Sequence, residues 1–456
     1  MGEWKRVKIG DVCTIEKGVT GLAKALPGDY PLVTTGAERK TSRDYQFDTK
    51  AVCIPLVSST GHGKKTLNYV HYQEGKFALG SILSAVVPRD ETILDARYLH
   101  VYLQKNKDRV LVPLMRGAAN VSLSMTAISN IEVPLPSLVE QKKILGKIDS
   151  ISNEHEDFLN ESDVQIDLFG KLRQAVLQEA IEGKLPVEWR TQNPELISGD
   201  NHASKLLEKI KAEKERLIKE GNTSTKLSAR IKKDASRAQS RGKPLAPIAE
   251  AEKPFDLPDG WVWCRLGEIC DFITKGTTPP THELKNNGDI PYLKVYNIVD
   301  QKIDFFYRAQ FISAKIHEKL SRSKVYPGDV LMNIVGPPLG KVAIVPCDFN
   351  EWNINQALAV FRPVIKGINR FLYAYLLAGF EIKKIHTLGI VGQDNISLTQ
   401  CRDIIFPLPP LAEQQLIVDR VDKLMAMIDE LEKQVSERKG QAKMLMQSVL
   451  QEAFAG

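Results

Sequence analysis

Residues 131–149 read IEVPLPSLVEQKKILGKID, and residues 404–422 read IIFPLPPLAEQQLIVDRVD. In the first, Pro134 and Pro136 close an apolar run of strand type; in the second, Pro407, Pro409 and Pro410 do the same. Proline cannot donate to a sheet ladder, so it ends one element and launches the next. A proline-free stretch with apolar residues at helical spacing follows each, from Glu140 and from Glu413. The offset that aligns Ile131 with Ile404 also aligns KLRQAVLQEAIEG, ending at Gly183, with KMLMQSVLQEAFAG, ending at Gly456. It pairs YLHVYL from Tyr98 with FLYAYL from Phe371 as well. Repetition on this scale means a duplicated architecture.

The front ends match more loosely. WKRVKIGDVCTIEKG from Trp4 resembles WVWCRLGEICDFITKG from Trp261. Late in each unit lies a Gly/Asn turn, RGAANVSLS around Asn120 and VGQDNISLT around Asn395. Between these landmarks the halves diverge freely, the pattern of a common frame with two different fillings. The expected organisation is a first globular domain over 1–139, a helical arm over 140–183 and a central helix with a basic linker over 184–256. A second domain over 257–412 and a second arm over 413–456 complete it.

In the second arm Ile417, Val421, Leu424, Ile428, Leu431, Val435, Ala442, Leu445 and Val449 step alternately by four and three, a heptad interrupted at Arg438. The first arm keeps the seam through Ile144, Ile148, Ile151, Phe158, Phe169, Leu172 and Val176, with His155, Ser162 and Gln165 as polar members. Each arm is about 65 Å long at the helical rise. An isolated heptad helix needs a partner, and the economical one is the other arm, antiparallel to it. The expected fold class is α+β: two mixed α/β domains separated by two long antiparallel coiled-coil helices, related by a pseudo-two-fold internal repeat. That arrangement returns QEAFAG, at the end of the second arm, to the first domain.

The chain has 456 residues, too many for one core, and carries a formal net charge of +6. A mildly basic balance permits nucleic-acid binding without demanding it. No apolar run long enough to span a bilayer occurs, and the N-terminal residues lack a secretory apolar core. The six cysteines form no CxxC pair and sit mostly in apolar runs, which reads as reduced core thiols in a cytoplasmic protein. Residues 202–221 read as a charged amphipathic helix. The basic run 226–243 behind it is either a solvated linker or a strap that touches phosphate. No phosphate loop, zinc-protease, nucleophile-elbow, deaminase or amino-methyltransferase signature is present; GPPLGK (336–341) falls one residue short of Walker spacing.

PLPSLVEQ, PLPPLAEQ, the QAVLQEA and QSVLQEA helix ends and the duplication together resemble the specificity subunit of type I restriction–modification systems, over essentially the whole chain. LLEKIKAEKERLIKEG also resembles the central conserved region of some members. The resemblance implies two target-recognition domains, each reading half of a split, asymmetric double-stranded DNA site. It implies a non-catalytic chain that holds two adenine-N6 methyltransferase subunits and, through them, restriction and translocation subunits. S-adenosylmethionine, ATP and Mg2+ would then belong to those partners. The competing readings are a helical scaffold that binds only protein and a DNA-modifying enzyme with unrecognised chemistry.

Base reading needs donors and acceptors at groove edges, and cations for phosphate. The divergent loops are the place for both. In the first domain TTGAERKTSR offers Thr34, Thr35, Arg39, Lys40 and Arg43. SSTGHGKKT offers Ser58, Ser59, His62, Lys64 and Lys65, and the late turn offers Arg116 and Asn120. In the second domain the candidates are Lys275, Thr277 and Thr278; Lys294, Tyr296 and Asn297; and Asn333, Lys341, Gln393 and Asn395. Each is equally readable, by itself, as a solvated loop residue or a turn former.

Overall fold

The computed structural model describes residues 4–23, 25–60, 63–118, 120–219, 245–379 and 395–454. The chain forms two compact units. The first comprises residues 1–165 and 433–456, the second residues 166–432. Both arms are single helices, Leu138–Ile181 and Leu411–Glu452, and each contributes to both units.

The described residues of the first unit form ten strands: β1 (Arg6–Lys8), β2 (Cys13–Lys17), β3 (Tyr30–Val33), β4 (Lys40–Ser42), β5 (Phe47–Asp48), β6 (Ala51–Pro55), β7 (His71–Gln73), β8 (Lys76–Leu79), β9 (Leu83–Pro88) and β10 (Glu132–Pro134). One sheet has the order β2-β9-β6-β7 and a second β4-β3-β8-β5. The central strand β6, Ala-Val-Cys-Ile-Pro, is buried along its whole length, which is why it reads as an unbroken apolar run rather than an alternation. β1 pairs antiparallel with β10, setting Arg6 opposite Pro134. The front-end signature and the proline signature are thus two strands of one ladder.

A helix over Ala96–Val110 is capped by Asp95, whose carboxylate accepts from the backbone of Arg97 and Tyr98. The Tyr98 hydroxyl donates to the Pro134 carbonyl at 3.2 Å. Gln141, fully buried, donates to the Ile93 and Pro136 carbonyls at 2.8 and 2.9 Å and accepts from Asp95 N at 2.9 Å. The glutamine of the repeated Glu-Gln pair therefore clamps the first turn of the arm to the globular part. Phe454, from the end of the second arm, packs on Tyr98 and Tyr102 with ring centroids 5.7 and 5.4 Å apart.

The second unit repeats the plan. Its strands are β11 (Val262–Arg265), β12 (Cys270–Lys275), β13 (Ile290–Leu293), β14 (Ile298–Val299), β15 (Lys302–Ile303), β16 (Phe311–Ile312), β17 (Lys324–Val325), β18 (Val330–Asn333), β19 (Val342–Ile344), β20 (Trp352–Ile354), β21 (Leu358–Pro363) and β22 (Ile405–Leu408). The sheets are β12-β21-β18-β19 and β16-β13-β20-β17, with a β11·β22 ladder. Strand for strand this is the order of the first unit, including a parallel β13·β20 pair that matches β3·β8. The added element is the β14·β15 hairpin, inserted after β13. Gln414 donates to the Pro409 carbonyl at 2.8 Å, as Gln141 does to Pro136.

Within each unit the arm segments run antiparallel. In the first, Lys439 meets Asp163 at 2.5 Å, and Met446 and Ala453 join the core of Ile144 and Ile148. In the second, Arg173 bridges Asp429 and Glu432, both at 2.6 Å, and Val176 and Leu177 share a core with Val421 and Ile428. The seam departs from the strict heptad. Leu172, Leu431 and Leu445 are 45%, 46% and 65% exposed, and Gln165 is exposed. The neighbours Ile166, Arg173, Glu432, Lys439 and Met446 turn inward instead. An α-helix of 3.6 residues per turn drifts about 20° per heptad against a 3.5 repeat, so the buried line slips by one residue. Of the polar seam members, Ser162 is buried and satisfied by the Phe158 carbonyl at 2.7 Å. His155 is half-buried.

The central segment belongs to the second unit. Its helix Ala203–Lys219 buries Ala203, Leu206 and Ile210 in that unit's core, and Lys214 Nζ donates to the Gly267 and Cys270 carbonyls at 2.6 and 2.7 Å. The basic run 226–243 lies outside the described residues. Among the described residues no helix is long and apolar enough to cross a membrane.

Candidate nucleic-acid interface

Strand register fixes where the loops gather. In the first unit Lys17 lies opposite Ser84, Pro55 opposite Leu83, and Val33 beside Leu79. The C-terminal ends of β2, β3, β6 and β8 therefore share one edge of the domain. The loops 34–39 and 56–70 leave from it, and so does the 80–82 turn. The 116–122 turn joins them: Ser58 N donates to Val121 O at 3.0 Å, and Arg116 and Ser122 exchange backbone bonds at 2.8 Å. Gly63, at φ 75°, has the Ala118 carbonyl oxygen 2.4 Å from where a Cβ would stand, so only glycine allows this approach.

The described first-domain candidates come to this edge in different roles, except Arg43, which follows Ser42 opposite Tyr30 at the far end of β3. Ser58 donates to the Lys64 carbonyl at 2.6 Å, and Ser59 Oγ accepts from Asn68 N at 2.9 Å; both close their own loop. Thr34 is buried and Thr35 half-buried. Lys40, Arg43, Lys64, Lys65 and Asn120 are exposed. Exposed Arg116 donates to the Pro113 carbonyl at 3.1 Å. Arg39 grips β7: Nε donates to Gln73 Oε1 at 2.9 Å, Nη2 to the Tyr72 carbonyl at 3.1 Å and Nη1 to His71 Nδ1 at 3.2 Å. Burial, then Arg39 and His100, push the His71 imidazole down to about 4, so it accepts from Arg39 as a neutral ring. His62 lies outside the described residues.

In the second unit Lys275 lies opposite Ala359, Asn333 opposite Leu358, and Leu293 beside Ile354. The same edge is built again. Lys275, Thr277 and Thr278 are exposed there, with the Thr277 carbonyl accepting from Tyr292 Oη at 2.9 Å. Lys294 and Tyr296 are half-buried, and the ammonium lies 5.9 Å from the Tyr296 ring centre. Burial lowers the Lys294 pKa.

Two expectations are corrected. Asn297 is 1% exposed, and its amide donates to the carbonyls of Asp304, Phe305 and Tyr307 while accepting from Lys294 N. Asn333 is equally buried and binds the Gly336 and Pro338 carbonyls at 3.3 and 2.7 Å. Both organise loops from inside and present no amide outward, because a buried amide must be spent on the backbone it displaces from water. Lys341 is half-buried, tied to the Ile298 carbonyl at 3.3 Å. Half-buried Asn395 forms a bridge with Val335, and Gln393 lies outside the described residues.

Sequence reasoning missed the tip that Asn297 holds. Phe306 is 76% and Tyr307 49% exposed, and the Arg308 guanidinium stands 5.2 Å from the Tyr307 ring and 6.0 Å from Tyr296. Asp300, Gln301 and Arg308 take left-handed backbone angles at φ 46°, 60° and 61°. Non-glycine residues hold such angles where the surroundings impose them, often at ligand-facing turns. The aromatic run at 305–307 with its following arginine was the available signal.

The family model for the type I restriction modification DNA specificity domain matches residues 1–166 and 258–438, most of the chain. The chain is 25% identical over 465 aligned residues to the EcoDI specificity subunit of Escherichia coli, covering all of this chain and 88% of that one. It is 30% identical over 289 residues to the Escherichia coli EcoAI specificity subunit, covering 61% of this chain and 43% of that one. Among solved structures, a chain of an assembled type I R-M system superposes with a TM-score of 0.63 at 17% identity, covering 100% of this chain and 98% of that chain. The crystal structure of the HsdS subunit from Thermoanaerobacter tengcongensis gives 0.55 at 18% identity, covering 99% and 97%. At that identity the superpositions speak for the fold alone.

Proposed function

Because this chain belongs to the type I restriction–modification DNA specificity family, we propose that its two loop edges each read one half of a bipartite, asymmetric DNA site. One observation carries the reading: two domains of identical strand order present loops of unlike sequence at the same edge. A duplicated frame with divergent tips is what two half-sites of different sequence require. Exposed Lys40, Lys64, Lys65, Lys275 and Arg308 supply phosphate contacts, and exposed threonines and aromatics supply groove contacts.

In this reading the chain does no chemistry and works in the cytoplasm. It positions two adenine-N6 methyltransferase subunits and, with them, the restriction and translocation subunits. S-adenosylmethionine, ATP and Mg2+ act in those partners. Exposed apolar side chains along the arms, Val164, Leu168 and Leu172 on the first and Met427 and Leu431 on the second, support protein docking there. A purely protein-binding scaffold has no use for cationic loops of unlike sequence on matching edges.

The test is a domain exchange. Replacing residues 18–130 with the equivalent part of another family member should change one half of the methylated site and leave the other half and the spacer intact. An unchanged methylation map, or one altered in both halves, would overturn the assignment of one half-site per domain.

A further inference from the structure

The repeat places a tryptophan, a glutamate and a cation at the root of each arm. In the second unit they are occupied. Glu413 is fully buried; Oε1 accepts from Arg190 Nε and Nη2 at 3.0 and 2.7 Å, and Oε2 accepts from Trp261 Nε1 at 2.8 Å. Arg420, two turns along the arm, donates to the Leu185 carbonyl. Arg190 also donates to the Gly183 carbonyl at 2.6 Å. The segment Leu185–Arg190 thus sits on a seat of indole, carboxylate and cation.

In the first unit the same seat is built, and among the described residues no segment stands on it as Leu185–Arg190 does in the second. At the repeat offset Glu140 matches Glu413, Ile144 matches Ile417 and Lys147 matches Arg420. Glu452 and Ala453 match Glu179 and Ala180, and Trp4 matches Trp261 through the front-end repeat. Trp4, Glu140, Ile144, Lys147, Glu452 and Ala453, with Lys143, line a cavity of about 200 Å³. The Glu140 side chain is 40% exposed, against none for Glu413, and its ion pair is the exposed Lys143 at 3.7 Å. Among the described residues no arginine stands on it. An exposed lysine pair of this kind contributes little, whereas a planar guanidinium matches a carboxylate with two bonds.

We propose that the Trp4–Glu140 cleft is a docking seat for an arginine-bearing segment of a partner protein. The occupant has the chemistry of Leu185–Arg190: a guanidinium on Glu140 and a preceding backbone carbonyl on Lys147. The chain's own second unit is the template for that occupant, and the charge of Glu140 is its complement. The proposal does not depend on which DNA is read.

The experiment titrates the full chain with a synthetic peptide, GKLPVEWRTQN, the sequence of residues 183–193. Calorimetry should detect one binding event, weakened at least tenfold by Arg190→Ala in the peptide and by Glu140→Gln in the chain. Lys147→Ala, an exposed position, should weaken it less. Absence of binding at millimolar peptide, or equal binding to Glu140→Gln chain of unchanged melting temperature, overturns the proposal. A second measurement uses the assembled complex. A photo-cross-linking residue in place of Lys143 should map to an arginine-containing segment of a partner subunit. Cross-links to DNA, or to a second copy of this chain, overturn it too.

Discussion

Arg39 donates to Nδ1 of His71 at 3.2 Å, and burial together with this cation holds the ring neutral, at the edge where the first domain presents its loops. The folded ring is pushed down to about 4 by burial, Arg39 and His100, while an unfolded histidine titrates near ~6.5. The folded state therefore binds fewer protons across that window. First-domain stability should be intact above about pH 6.5 and fall as pH drops toward about 4, at up to ~1.4 kcal/mol per pH unit. Urea melts between pH 4 and 8 check this, and His71→Asn should flatten the profile.

Asn297 and Arg308 lie on one loop and should fail differently. Asn297→Ala removes the donor to three loop carbonyls, one of them buried, and should lower second-domain stability by about 2 kcal/mol. Arg308→Ala, at an exposed position, should shift stability by less than about 0.5 kcal/mol. It should instead weaken or relax methylation of one half-site. Thermal melts beside sequencing of methylated adenines separate the two effects; equal melting losses would place Arg308 in the loop's framework.

Lys64 and Lys65 are exposed on a loop closed from within by Ser58 and Thr66. If both contact phosphate, the double alanine variant should flatten the slope of log K against log salt by about 1.8. Binding of the assembled complex to its site at graded salt measures it. An unaltered slope would remove these lysines from the interface.

The outward leucines of the first arm make a surface prediction. Leu168→Asp with Leu172→Asp should leave circular dichroism unchanged, since both side chains are exposed, yet weaken methyltransferase-subunit binding at least tenfold. Pull-down with purified methyltransferase subunit decides; undiminished capture would free this face.

Phe454 tests the composition of the first unit. Phe454→Ala removes the ring that packs on Tyr98 and Tyr102 and should cost about 3 kcal/mol in the first unit only. A calorimetric scan should show one of two transitions lowered.

Much of the frame was readable because its signals are local. Proline at 134, 136, 407 and 409 marks strand ends by removing a donor, and the Glu-Gln pair marks the arm root. What those residues do was not readable: Gln141 clamps carbonyls from two other stretches, Ile93 and Pro136. The arm seam was legible as a stripe but not in register, since Leu172 and Arg173 exchange inside and outside through a drift that accumulates over several turns. At the loops, residue type alone failed. Asn297 and Asn120 look alike in sequence, yet one is buried under its own loop and the other faces solvent, and only tertiary context chooses. Phe306 and Tyr307 carry no sequence mark of exposure, since aromatics are usually buried, yet both face solvent.

The first unit needs residues from nearly the whole length of the chain, because Met446, Ala453 and Phe454 belong to the core built on Ile9, Tyr98 and Ile148. During synthesis the first set of strands leaves the ribosome with one wall of its core still unwritten. It must wait, partly open, while the entire second unit is translated, and contacts of such sequence separation form late. The order of manufacture thus reverses the order of completion. The unit made last can close first, and the earliest-made strands stay longest with apolar surface uncovered.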